Sequence, residues 1–550
     1  WVPALVADAG NATGKARYDY WRTVGELVAE NFFGQIQQWC AQHNVPSGGH
    51  LLAEENLPAH VPLYGDFFRC LRRLDAPSID CLTSLPSDVP WPIARLAASA
   101  AELEGKSVVM CETSDHAQRW RPKGDARPVQ TVTEAQIRGT CNRLMVGGVN
   151  RITSYYSFAG LSDDSLRRLN EWTGRCGTLL TGGHQVADLA VVYPVESLWP
   201  RFRPAHLWAQ EAPEALRIEN AYRAVSDGLF AARRDFIYVD GQALAEAQPN
   251  AGSLVNGSHR WRIVVLPQAD TLPLRAWENL ATFVQQGGVV VAVGALPANS
   301  EREFPSPRVQ ALAREMFTQN HDQPWVAANA AGGAGIFLPE GATGLLPGLL
   351  LKILEPDVQV ADPRAPIRVT HRRIDGHEVY FLINDQPEPW TGTVSLRAAG
   401  KGEQWNPATG EVQALPGAEN IALALEGYGA TLLRFPEARS GRQRPLSIGA
   451  LPNVVLKALT LPEPELAGGE FVRKQLLAET AARPPASKAW RVRATLTKAE
   501  VDTYLFLRFI YPTALDLAEA DMLAFESEVP AGQRTPNQLL VILHEKDGSD

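Results

Sequence analysis

Apolar and polar positions along the first 185 residues keep switching between two periods. From Tyr20, the residues Val24, Leu27, Val28, Phe32, Ile36, Trp39 and Cys40 recur at three- and four-residue steps, which predicts a helix. "NVPSGGHLLAEEN" then predicts a strand near 46–53 that runs into Glu54 and Glu55. A helix about 65–74 leads to the strand "SIDCL" at 78–82, and a helix about 92–104 leads to the strand "SVVMCE". Thr131 and Glu134 form a capping-box start for a helix carrying Ile137, Cys141, Leu144 and Met145. That helix ends at Gly147-Gly148, before the strand "VNRITSYYSF" and a last helix about 163–180. Four β–α units in a row predict a parallel sheet with helical crossovers. No GxGxxG follows any of these strands, and their polar ends favour a barrel over a doubly wound sheet. Eight barrel strands need about 250 residues, so four units predict half a barrel.

A second α/β pattern begins at "DLAVVYPVESLW". It has strands at 188–193, "DFIYVD", "RIVVLPQ" and "GVVVAVG", with helices about 214–232 and 274–286. Beyond about Pro356 the period becomes two. "IRVTHRRIDGHEVYFLIND" predicts a hairpin turning on Asp375-Gly376, and "TGTVSLRAAG", "EQWNPATGEVQAL" and "YGATLLRF" extend it to an antiparallel sandwich. "PEARSGRQRPLS", 436–447, predicts a polar, basic linker. After it, "WRVRATL", "TYLFLRFI" and "LLVILHEKDGSD" predict further β-structure.

Composition and charge narrow the function. The 550 residues carry a net charge of -9, whereas nucleic-acid binding needs a basic face, and no apolar run reaches membrane-spanning length. The six cysteines, Cys40, Cys70, Cys81, Cys111, Cys141 and Cys176, are well separated and lack metal-binding spacing, so they are expected to be buried thiols. The chain opens on "WVPALVADAG", without an initiator Met or a signal-peptide pattern, and stops just after an expected strand. Both ends read as those of a fragment.

The chemistry is carried by "SVVMCETSD", where an apolar strand ends on Glu112. Parallel-barrel enzymes place catalytic groups at the C-terminal ends of their strands. Glu54/Glu55, Glu112 and Tyr155/Tyr156 would then ring one open face. Adjacent residues of a regular strand point to opposite faces, so only one of Glu54 and Glu55 can face the barrel mouth.

The order "GGHLLAEENL", "SIDCL", "VVMCETS" followed by Trp120, and "GGVNRITSYYSF" resembles the second half of a glycoside hydrolase barrel, closest to the α-L-rhamnosidases of family 106. The chain departs from that family at "CETSDHAQRW", where the family has a Gly-rich stretch. The resemblance implies hydrolysis of α-L-rhamnosides in plant or bacterial polysaccharide, with inversion and with Glu112 as general base. Glycosidic cleavage needs a second carboxyl group to protonate the leaving oxygen. Glu54 or Glu55 could supply it, or it could lie upstream of Trp1. His50 could bind a sugar hydroxyl, and Trp120, Tyr155 and Tyr156 suit stacking on a pyranose. The resemblance requires no organic cofactor and allows a calcium ion near the sugar. It implies an oligo- or polysaccharide partner and favours a periplasmic or secreted location without fixing the compartment; charge and hydropathy argue against nucleic acid and membrane, and a homo-oligomer stays open.

The later regions carry resemblances of their own. The expected fold is α/β plus β multidomain: the C-terminal half of a TIM (β/α)8 barrel at 1–185, then a flavodoxin- or glutamine-amidotransferase-like α/β domain at 186–355. An antiparallel β-sandwich at 356–437 and the start of a galactose-binding-like jelly roll at 448–550 follow. No cysteine follows Cys176, which excludes an amidotransferase nucleophile in the α/β domain. The same domain order occurs in β-galactosidase-like enzymes, the alternative within the class. A barrel without its acid would be a non-catalytic carbohydrate-binding protein.

Overall fold

The computed structural model describes residues 2–121, 128–157, 160–203, 213–318, 323–439, 449–450, 461–481, 488–497, 505–513 and 515. Contacts divide the chain into two compact units, Trp1–Ala450 and Leu451–Asp550.

The first unit begins with a parallel sheet of four strands in sequential order: β1 (Gly48–Gly49), β2 (Ala76–Cys81), β3 (Met110–Thr113) and β4 (Arg151–Ser154). Helices Phe67–Arg72, Trp91–Leu103 and Glu134–Val146 lie in the connections, and Asp163–Leu180 follows β4. Three details depart from the sequence reading. The strand expected over 46–53 shrinks to Gly48–Gly49, and the chain beyond it turns, with Ala53 at φ +57°. The capping box is Thr133 with Gln136, two residues later than expected; its Thr side chain accepts from the Gln136 N–H.

The third departure concerns the first helix. It runs Thr13–Val28, passes through a π-turn at Ala29–Gly34 and continues as Gln35–Gln42. Its periodic apolar stripe is largely exposed, with Leu27, Phe32, Ile36 and Trp39 all on the surface. The buried side is instead Tyr18, Trp21, Gly25 and Ala29. Close backbone approach explains the choice. Gly65, at φ +70°, packs so tightly on Gly25 that a Cβ there would overlap the Gly25 backbone. Gly65→Ala is therefore expected to cost about 1–3 kcal/mol through overpacking, read as a lowered melting temperature. An unchanged melting temperature would refute this contact.

The next layer is a seven-stranded sheet. Its parallel core runs β7 (Phe236–Val239), β6 (Leu189–Val192), β11 (Ile263–Pro267), β12 (Val289–Val293) and β14 (Ala334–Leu338), matching the four strands expected from sequence plus one. β13 (Trp325–Ala328) joins antiparallel at the edge, followed by Gly449–Ala450. A small antiparallel meander, β8 (Gln248–Asn250), β9 (Ser253–Asn256) and β10 (His259–Trp261), was not anticipated. The core strands are buried along their whole length, as a sheet covered on both faces requires.

The sandwich follows. Ile367–Ile374 and His377–Asn384 pair in full register, with Asp375 and Gly376 at φ +49° and +77° in the two-residue turn. Ala430–Phe435 extends this sheet on one side. On the other side its edge strand is β5 (His184–Gln185), contributed from the end of the first α/β region. Part of the expected linker is also structured, since Glu437–Ala438 pairs with Ala398–Ala399; 440–447 lies outside the described residues. One apolar cluster joins the helices to this sheet, with Met145, Trp172, Cys176 and Leu180 against Phe381, Ile383 and Leu432. All six cysteines are free thiols and five are buried, two of them (Cys81 and Cys111) on strands rather than helices.

In the second unit the described strands are antiparallel. Glu465–Gly468 pairs with Leu505–Arg508, and Val472–Ala481 pairs with Lys488–Leu496 across a register shift. The expected strand in "LLVILHEKDGSD" lies outside the described residues.

Candidate active site

The parallel sheet delivers side chains to its C-terminal edge in register. Asp80 on β2, Glu112 on β3 and Thr153 on β4 are neighbours across the strands. Residues so aligned project from one face, at strand spacings of about 4.8 Å. Glu112 is therefore at the strand end expected of it, with a side chain 38% exposed and open to solvent. Its ion-pair contact among the described residues is with His50, whose Nε2 stands 3.6 Å from Oε2.

His50 sits in the turn after β1. Its Nδ1 donates to the Leu51 carbonyl at 2.9 Å and lies 3.6 Å from Glu54 Oε1. The Glu54 carboxylate, more than any other group, pushes the His50 pKa up to about 9, so the imidazole is a cation at neutral pH.

Glu54 itself is buried. Its Oε1 accepts the Leu51 N–H and its Oε2 accepts the Asp80 N–H, both at 2.9 Å. Burial raises its pKa, while these two N–H bonds and His50 pull it down. The carboxylate thus ties the turn to β2. Glu55 follows with an exposed side chain, and its carbonyl accepts from Arg223 of the helix Pro213–Ala231. The structure gives the adjacent carboxylates opposite surroundings, as expected, but through a turn rather than a regular strand.

Asp80 is the site residue that sequence reasoning missed. Burial raises its pKa, the negative charge of Glu112 adds to the rise and His50 opposes it. Its Oδ1 is buried without a hydrogen-bond partner in the structure. The signal in "SIDCL" was weaker than that of Glu112: a carboxylate near the C-terminal end of a buried strand, but in a run that already mixes polar and apolar residues.

The aromatic candidates separate. Tyr155 is 61% exposed at the end of β4, where its N–H donates to the Thr113 carbonyl at 2.8 Å. Asp115 fixes the following turn by accepting from Ser157 Oγ at 2.7 Å. Tyr156 is buried among Val132, Ile137, Cys141 and Leu169, so it packs in the core and is not placed for stacking on a sugar. Trp120 is exposed just beyond the short helix His116–Arg119, stacked on His116. Among the described residues, no three or more His, Cys, Asp or Glu side chains are grouped to hold a metal ion. No described helix is long and apolar enough to cross a membrane.

A protein family described as alpha-L-rhamnosidase, glycoside hydrolase family 106, matches residues 1–417. Among solved structures, a rhamnosidase from Novosphingobium sp. PP1Y is similar at 20% identity and a TM-score of 0.56; the match covers 88% of this chain and 44% of that one. A β-galactosidase from Bacillus circulans sp. alkalophilus is similar at 14% identity and a TM-score of 0.54, covering 77% of this chain and 68% of that one. A catalytic mutant of a GH42 β-galactosidase from G. stearothermophilus is similar at 12% identity and a TM-score of 0.52, covering 78% and 69%. No curated protein sequence matches the chain. The chain thus spans less than half the length of the rhamnosidase it resembles.

Proposed function

Because the chain belongs to the α-L-rhamnosidase family of glycoside hydrolases, family 106, we propose that it supplies the water-activating side of a rhamnosidase active site, with Glu112 as general base. The observation that carries this reading is the placement of Glu112: a solvent-open carboxylate at a parallel strand end, with one oxygen beside the His50 cation. The His50 cation stands beside Oε2, and the solvent-open carboxylate can deprotonate a water as it attacks the sugar. The four-stranded parallel sheet is then the second half of a (β/α)8 barrel. Tyr155 and Trp120 offer exposed rings for the apolar face of the pyranose. The substrate would be an α-L-rhamnoside within a polysaccharide. A β-galactosidase reading has fold likeness alone in its favour.

Glu54 is unsuited to protonating a leaving group, since both its oxygens accept backbone N–H groups inside the protein. The acid is then Glu55, or another carboxyl group such as Asp80 or one outside this sheet. Glu55→Gln separates the two. A fall in kcat of about 10²-fold or more assigns the acid to Glu55, and turnover within twofold moves it elsewhere.

The stereochemical course tests the proposal itself. A base that activates water stands ~6.5–9.5 Å from its acid, and hydrolysis inverts the anomeric centre. Proton NMR of the first-formed sugar from an aryl α-L-rhamnoside should show the inverted anomer. A retained anomer, or no hydrolysis of any rhamnoside by the full-length protein, would overturn the assignment.

A further inference from the structure

The turn 50–56, which carries His50 and Glu54, has almost no regular structure of its own. What fixes it comes partly from the second α/β region. His60 is buried in the short helix His60–Tyr64 and uses both ring nitrogens. Its Nε2 lies 2.8 Å from the Glu54 carbonyl and its Nδ1 lies 2.9 Å from the Tyr193 hydroxyl. A carbonyl can only accept, so Nε2 carries the proton and Nδ1 accepts from Tyr193. The ring is stacked on Phe67 at 4.1 Å, and burial pushes its pKa down to about 3, which keeps this neutral tautomer at working pH. Tyr193 directly follows β6, and its N–H donates to Val239 of β7, so it is anchored in the seven-stranded sheet. Arg223, from the same region, donates to the Glu55 carbonyl one residue further along the turn.

We infer that the second α/β region positions the candidate active site: Tyr193, through His60, and Arg223 hold the backbone of Glu54 and Glu55, and so set where His50 meets Glu112. This inference rests on the proposed function for its catalytic meaning, though the tie itself is a property of the fold. The two arms grip successive carbonyls from different elements, so the turn is held in rotation as well as in distance. Tyr193, His60 and Arg223 are positioning residues. None of them need touch the sugar.

The test uses Tyr193→Phe, which deletes one hydroxyl from a buried ring, and Arg223→Ala, which acts at a half-exposed side chain. The first readout needs no substrate: His50 is titrated by NMR in the intact chain, with its signal assigned by loss in His50→Ala. The groups facing His50 are Glu54, Asp80 and Glu112, and Glu54 holds its pKa near 9. Releasing the turn draws Glu54 away, so each variant should lower the His50 pKa by at least one unit, toward the usual ~6.5. Arg223→Lys, which keeps a donor for the Glu55 carbonyl, should restore it. In the full-length protein the same variants should lower kcat on an aryl α-L-rhamnoside by about 10–100-fold, the effect of a misplaced catalytic group, with KM and melting temperature little changed. A His50 titration unmoved in both variants overturns the inference. A shifted titration in a protein that hydrolyses no rhamnoside upholds the positioning tie and refutes the proposed function instead.

Discussion

Glu112→Gln in the full-length protein is expected to lower kcat by about 10²–10⁴, the usual worth of a general base, while sugar affinity and melting temperature barely change. Glutamine keeps the shape of the side chain and its contact with His50, but it cannot take the proton of the attacking water. The structure strengthens the expectation that folding survives. Glu112 is partly solvent-exposed and its ion-pair contact is with a His50 that keeps Glu54 as a second partner. A purely structural glutamate would show the opposite result, with stability lost and turnover per folded molecule retained. Activity and thermal melting measured on this one variant decide between them, and near-normal turnover would end the assignment.

The largest stability effect should come from a histidine far from that site. His371, in the strand Ile367–Ile374, is buried with Nδ1 2.7 Å from Asp357 Oδ2 and Nε2 2.7 Å from Glu378 Oε2. Its ring stacks on Tyr380, and Arg397 and Arg373 approach the outer oxygens of the two carboxylates. Burial alone would lower the His371 pKa, but Asp357 and Glu378 outweigh it and push it up to about 9. Burial likewise works to raise both carboxylates, and the His371 cation holds them below their ordinary range. Removing the shared cation in His371→Ala should cost about 3–5 kcal/mol, since it takes from two close carboxylates the buried partner they share and leaves each with an arginine at its outer oxygen.

The pH dependence gives this prediction its sign. The imidazole's contribution is complete below its unfolded pKa of ~6.5, declines above it and is gone once pH passes about 9. The carboxylate contributions run the other way, complete above ordinary carboxylate values and lost as pH falls through the lowered folded ones. The gap between wild type and His371→Ala, measured by denaturant unfolding, should therefore narrow from pH 6.5 to 9. A gap that stays constant over that range would show that the loss is one of packing rather than charge.

What was legible in the sequence follows from how each feature is stabilised. The strands of the seven-stranded sheet are covered on both faces, so they appear as unbroken apolar runs such as "GGVVVAVG". The Asp375-Gly376 hairpin was readable because its turn requires positive φ at both residues, which few pairs tolerate. Glu112 stood out because it ends an apolar run. Asp80 did not, because "SIDCL" already mixes polar and apolar residues. The turn after β1 was invisible for another reason. It is held by a left-handed Ala53 and by bonds to Asp80, His60 and Arg223, which are distant in sequence or not implied by local pattern. The exposed stripe on the first helix shows the same limit. Period predicts a helix, but the close approach of Gly25 to Gly65 decides which side is buried.

The pairing of His184–Gln185 with Arg372–Arg373 also bears on the order of assembly during synthesis. It closes a loop of roughly 190 residues, and the whole second α/β region lies inside that loop. At about 5–20 residues per second, the ribosome takes roughly 10–40 s to deliver the partner strand after β5 has emerged. Throughout that interval the α/β region can fold on its own short-range contacts, while Trp172 and Leu180 of the helix Asp163–Leu180 still lack Phe381, Ile383 and Leu432 of the sandwich. Until the partner strand is made, the edge of β5 and that part of the helix stay open, and that interval is when a chaperone or a protease would find its opening.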